Sequence, residues 1–116
     1  VYNMDKLKQW LQLVVDRGLH EKCKIMVGIT PMKSAPMARY MKNKVPGMDV
    51  PDELVKRMAG VEKKKAWREG IAIAIEQIEE CKSLEGVAGI HLMCIEWEKK
   101  VPMIVEGAGL YPRPEV

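Results

Sequence analysis

Two short apolar runs constrain this 116-residue chain more than any other feature. The first is Lys24 to Ile29. The second opens at Gly86 and continues Val-Ala-Gly-Ile-His-Leu-Met-Cys-Ile-Glu-Trp to Glu98, apolar or small residues around one histidine before the charge returns. Each is too short for a buried helix and bounded by polar residues, so each reads as a buried strand. Between them lie helical patterns rather than a hairpin turn. Parallel neighbours need a crossover, usually helical, so the two strands are expected to pair in parallel. The chain is therefore α/β, and its chemistry is expected just beyond the strand ends.

The rest of the chain fits around that pair. Asn3 is an N-cap with Asp5 in the first turn, where the helix dipole favours negative charge. Leu7, Trp10, Leu11, Val14 and Val15 then mark one buried helical face, and Gly18 ends the helix. His20 to Lys22 reads as a polar loop before the first strand. After Thr30-Pro31, Ser34 caps a helix to about Lys44, and Val45-Pro46-Gly47 breaks the chain. Pro51-Asp52-Glu53 opens a short helix to about Ala59. Glu62 to Ser83 forms the longest helix, with Trp67, Ile71, Ala74, Ile75, Ile78 and Cys81 as its apolar stripe and Gln77 among the polar positions. Gly70, inside it, costs about 1 kcal/mol against Ala and often marks close approach of another backbone. Lys99 to Gly107 forms a last helix, and Leu110 to Val116 an extended tail. Val1-Tyr2 reads as the last step of a further strand. The order gives three consecutive βα units, the kind that close a (β/α)8 barrel, and residues 1–116 read as a single partial domain of a larger protein.

Composition excludes several classes. Nineteen basic and sixteen acidic residues are interleaved, for a net charge of +3, and make no electrostatic case for nucleic acid. Lys63-Lys64-Lys65 beside Trp67 and Arg68 reads as a solvated helix face, because Glu62 and Glu69 bracket it. Three cysteines without a CxxC spacing suggest neither a disulfide framework nor a metal site, and point to a reduced, cytoplasmic setting. No apolar run reaches membrane-spanning length.

No self-contained catalytic motif is present, so the candidates are the residues after each strand. Glu96 reads either as a carboxylate at a pocket mouth or as an acid favoured by a helix N-terminus, and Trp97 as an aromatic wall on the rim. His91, mid-strand among apolar neighbours, reads as a core histidine bonded to backbone rather than as a ligand. Thr30, Pro31, Met32 and Lys33 form the loop after the first strand, which reads either as facing a cofactor or as plain turn chemistry. Met37 and Met41, one helical turn apart, suit either a core or the wall of a flat aromatic ligand.

With these residues in hand, the chain resembles the C-terminal part of the methylenetetrahydrofolate reductase family. The resemblance rests on Ile25-Met26-Val27-Gly28-Ile29-Thr30-Pro31, on Val50-Pro51 opening a short helix, on Gly86-Val87-Ala88-Gly89-Ile90-His91, and on the segment from Val101-Pro102 to Pro112. It implies the last three βα units of a TIM barrel that holds FAD. The implied reaction passes a hydride from reduced flavin to 5,10-methylenetetrahydrofolate, giving 5-methyltetrahydrofolate. The flavin contacts and catalytic acids it implies come from earlier strands, so FAD is expected in the full-length protein and none on these residues alone. The substrate-facing positions carried over are Thr30, Met37, Met41, Ile95, Glu96 and Trp97. Met37 and Met41 stand where the family has a glutamine and an aromatic, Ile95 matches an apolar contact, and Trp97 replaces a substrate-binding arginine. These departures imply electron delivery by a partner subunit rather than direct NAD(P)H use. The open strand edges are expected to meet another chain or a preceding portion of the same one. Two alternatives stand beside this reading. One is a pterin-dependent methyltransferase-type barrel, which would want acids and amides after both strands where only Glu96 qualifies. The other is a non-catalytic subunit-interaction module.

Overall fold

The structure, a computed structural model, describes residues 1–115. Helix α1 spans Met4–Asp16 and a one-turn helix α2 spans Leu19–Lys22; strand β1 covers Ile25–Ile29. Helices α3 (Ala35–Lys44), α4 (Asp52–Ala59) and α5 (Ala66–Lys82) make the crossover to strand β2 (Val87–Leu92), and α6 (Val101–Gly107) closes the order. The two strands pair in parallel, Val27 opposite Ile90 and Ile29 opposite Leu92, with an irregularity between Ile25 and Met26. The α/β class and the parallel crossover expected from the two apolar runs are both present.

Local chemistry sets the helix ends. The Asn3 side chain accepts the Lys6 amide at 3.1 Å, and the Ser34 hydroxyl accepts the Met37 amide at 3.2 Å. Gly18 takes the left-handed conformation at φ 67° and separates α1 from α2, so the expected polar loop is instead a helical turn. The long helix expected from Glu62 begins with a 3-10 turn, Lys63–Lys65, and the last helix with another, Glu98–Lys100.

Two apolar clusters hold the chain together. One joins Leu7 and Leu11 of α1, Val27 and Ile29 of β1, Ile71, Ala74, Ile78 and Cys81 of α5, and Ile104 of α6. The other gathers Tyr2, Met32, Ala38, Val50, Leu54, Met58, Ala66 and Ile73. Helix α5 belongs to both, so it is buried on two sides rather than along a single stripe. That is why Gln77, expected on a polar face, is only 5% exposed. At Gly70 the backbone of Met32 lies directly against α5, the close approach the glycine suggested.

Four further expectations need correction. Strand β2 ends at Leu92 rather than running toward Glu98, and it is half-buried rather than buried. The helices cover one face of the pair; the other face carries Met26, Gly28, Gly89 and His91 and has no layer over it among the described residues. His91 is consequently exposed and is no core histidine. Trp10 is 50% exposed, because it flanks a groove of about 430 Å³ along the open edge of β1 instead of a packed neighbour. Val1-Tyr2 is not a strand, although the Val1 nitrogen donates to the Gly28 carbonyl at 2.7 Å and the Tyr2 hydroxyl to the Thr30 carbonyl at 2.9 Å. The tail from Leu110 has neither helix nor strand through Glu115, and Val116 lies outside the described residues. No helix is long and apolar enough to cross a membrane among the described residues.

Candidate functional site

Parallel pairing puts the C-terminal ends of β1 and β2 side by side, so the loops that follow them meet. The Met93 amide continues the ladder by donating to the Ile29 carbonyl at 2.9 Å, and the loops separate only beyond it. Lys33 then bridges them. Its Nζ donates to the Glu96 carbonyl at 3.2 Å and stands 5.7 Å from the centre of the Trp97 ring, within cation–π range. Its own backbone N–H donates to Met37 Sδ at 3.4 Å. One lysine thus ties together the β1 loop, the first turn of α3 and the β2 loop.

The residues singled out in the sequence fall into two groups around this bridge. Met37, Glu96 and Trp97 are brought together with Lys33, and Thr30 lies three positions before it in the chain. Thr30 is buried and its carbonyl is occupied by Tyr2; Met37 is half-buried; Trp97 is half-buried against the first apolar cluster. Glu96 is exposed and takes a left-handed backbone, φ 52°, which a non-glycine residue adopts at a cost of about 1 kcal/mol or more. Ile95 is 63% exposed beside it. Met41, one turn beyond Met37, packs on the second cluster, away from the bridge. Cys94 sits beneath the β2 loop, and burial, with Glu98 nearby, pushes its thiol above the ordinary range. It is a protonated packing group and a poor nucleophile.

Around the rim, cations stand against both indoles, with Glu96 and Glu98 exposed beside them. Lys100 Nζ lies 3.7 Å from the Trp67 ring centre and Arg68 lies 5.2 Å from the same ring. The Lys100 amide donates to the Trp97 carbonyl at 3.0 Å, which makes Lys33, Trp97, Lys100, Trp67 and Arg68 one continuous run. Lys33, Lys100 and Arg68 form no ion pair among the described residues. Such a surface takes a planar ring against an indole and a carboxylate against the cations. Sequence reasoning placed Lys33 in a loop that could face a cofactor but not in a bridge to the second strand's end, and it missed Lys100. Lys33 belongs to no periodic pattern, and its partner Glu96 is 63 positions away in the chain. No cluster of His, Cys, Asp or Glu suits a metal ion among the described residues.

No curated protein and no solved structure matches the chain. The family model described as methylenetetrahydrofolate reductase matches residues 1–109. That span takes in both strands, the crossover between them and the whole of the rim, and so this chain belongs to the methylenetetrahydrofolate reductase family, oxidoreductases of folate metabolism.

Proposed function

We propose that this chain is the closing arc of a (β/α)8 barrel that reduces 5,10-methylenetetrahydrofolate to 5-methyltetrahydrofolate, and that its rim is the folate-facing wall. The observation that carries this reading is the Lys33 bridge, which joins the loops after two adjacent parallel strands where barrel enzymes bind substrate. The uncovered face of the β-pair supports the arc, since a parallel pair needs cover on both faces. Trp97 offers a flat surface to an aromatic ring of the folate. Lys33, Lys100 and Arg68 draw in its carboxylates, and the exposed Glu96 carboxylate accepts N–H donors of the pterin.

A pyrophosphate wants free backbone N–H groups, and three of the rim's are engaged: Lys33 by Met37 Sδ, Met37 by Ser34, Trp97 by the Cys94 carbonyl. The flavin belongs to the remainder of the barrel, and these residues bind and orient the folate.

The test is oxidation of 5-methyltetrahydrofolate by the full-length polypeptide with an artificial quinone acceptor, which bypasses the physiological electron donor. Trp97→Ala is expected to raise the folate KM roughly three- to tenfold, the value of one lost ring contact, with a smaller effect on kcat. Absence of turnover in the full-length protein, or an unchanged KM in the variant, would overturn the reading.

A further inference from the structure

The ammonium of Lys33 stands where an aromatic ligand would have to lie. It is over the Trp97 ring, 5.7 Å from its centre, and Trp97 packs on the first apolar cluster. Nothing flat can stack on that face of the indole while the ammonium covers it. The ammonium is also engaged, and by a neutral acceptor: it donates to the Glu96 carbonyl at 3.2 Å and forms no ion pair among the described residues.

The turn that Lys33 holds is under strain. The Trp97 amide donates to the Cys94 carbonyl at 3.0 Å, so Ile95 and Glu96 are the central residues of a tight turn. Glu96 has φ 52°, the one left-handed non-glycine backbone among the described residues. A turn of that geometry favours glycine or asparagine at this position. The anchors on either side are firm. Cys94 is 7% exposed, and the Lys100 amide donates to the Trp97 carbonyl at 3.0 Å. The tip between them, Ile95 and Glu96, stands in solvent. A backbone that its own residue disfavours needs a restraint, and the hydrogen bond from Lys33 reaches it from the end of the other strand.

We propose that Lys33 is a latch: it holds the Ile95–Glu96 turn in its strained form, and an aromatic ligand bearing a carboxylate releases the turn by drawing the ammonium off Glu96 and off the indole. The identity of that ligand rests on the folate reading above; the latch does not. A carboxylate is a stronger acceptor for an ammonium than a neutral carbonyl, so the exchange is favourable. Linkage makes it reciprocal, since whatever stabilises the latched turn weakens the ligand by the same factor.

The experiment is hydrogen exchange of the protein, read at the Trp97 amide that closes the turn. Without ligand, Lys33→Met should speed that exchange about tenfold, the effect of losing a hydrogen bond from a charged donor. Glu96→Gly, which adopts the same backbone without strain, should slow it about fivefold. Saturating 5-methyltetrahydrofolate, and glutarate at matched ionic strength as the bare dicarboxylate, should each speed exchange in the parent and leave Lys33→Met unchanged. Faster exchange with glutarate in a protein that binds no folate would support the latch and refute the folate reading. Exchange unaffected by Lys33→Met would overturn the latch, and so would exchange that both ligands slow or leave unchanged.

Discussion

Replacing Gly70 with alanine sets two ordinary effects against each other, and the structure says which wins. In the interior of a helix the change should stabilise by about 1 kcal/mol, because alanine gives up less backbone entropy. At Gly70, however, the added methyl would lie 2.8 Å from the Met32 carbonyl carbon and nearer still to its oxygen. Carbon atoms in contact rest at about 3.5–4.0 Å, so the carbonyl carbon alone requires helix and loop to part by roughly 1 Å, and the nearer oxygen requires more. Neither can yield cheaply. Met32 is 1% exposed, its neighbour Thr30 is held by Tyr2, and α5 is fixed in both apolar clusters. Overpacking of this kind costs about 1–3 kcal/mol when side chains can adjust, and more when backbone must move. Set against the propensity gain, Gly70→Ala should lose about 2 kcal/mol.

Equilibrium urea unfolding of the protein measures this as a lower midpoint at unchanged slope. Gly107→Ala provides the control. There the new methyl meets only the Ile75 side chain, closest at Cδ1, 2.7 Å away, a tip that can rotate aside. That variant should stay within about 0.5 kcal/mol of the parent. A Gly70→Ala protein as stable as the parent, or more so, would refute the argument, since the Met32 backbone could not then lie against α5.

Two further outcomes follow from titratable groups. Burial pushes the Tyr2 phenol up to about 12, so the fold favours its neutral form. The associated stability, about 2–3 kcal/mol, is complete below pH 10 and lost as the pH rises from about 10 to 12. Tyr2→Phe should abolish that alkaline loss in urea titrations while itself costing about 1 kcal/mol for the bond to Thr30; an unaltered alkaline profile in the variant would contradict this. Arg57 holds the Glu76 carboxyl below its ordinary range. That contribution is present above the unfolded carboxylate value and lost as the pH falls through the folded one. Arg57→Met should therefore cost about 1 kcal/mol or less at neutral pH, these groups being largely exposed, and the gap should narrow below about pH 4. A gap that persists undiminished at pH 3 would show the loss to be one of packing.

What the sequence revealed and what it hid divide along a physical line. Caps, strands and crossover were legible because each is set by neighbours within a few positions: Asn3 with Lys6, Ser34 with Met37, an apolar run between polar ends. Gly70 was legible as a question, since a glycine inside a good helix needs a reason. Features set by distant packing were not. Nothing near Gln77 in the chain announces that α4 will cover that side of α5. Nothing in the continuous apolar run announces that β2 stops at Leu92, because the residue that claims the following loop is Lys33, from the other strand's end. The rim was half legible for the same reason: strand ends can be located from periodicity, but the bridge between them is a contact at long range.

The uncovered face of the β-pair carries this reasoning one step further. An alanine methyl at Gly89 would meet Met26 Sδ at 2.9 Å, and one at Gly28 would meet Met93 Cε at 3.0 Å. Two flexible methionines thus lie across two glycines, on the face that no helix covers. A thioether chain can swing away at little cost, whereas the Met32 backbone at Gly70 cannot. The sheet is therefore tightly packed on the side of α5 and yielding on the side of His91. A parallel pair with one rigid covered face and one soft bare face of small residues is a half-built layer. In the barrel proposed above, inward-pointing side chains from other strands would complete it, with Met26 and Met93 as the groups that move to admit them.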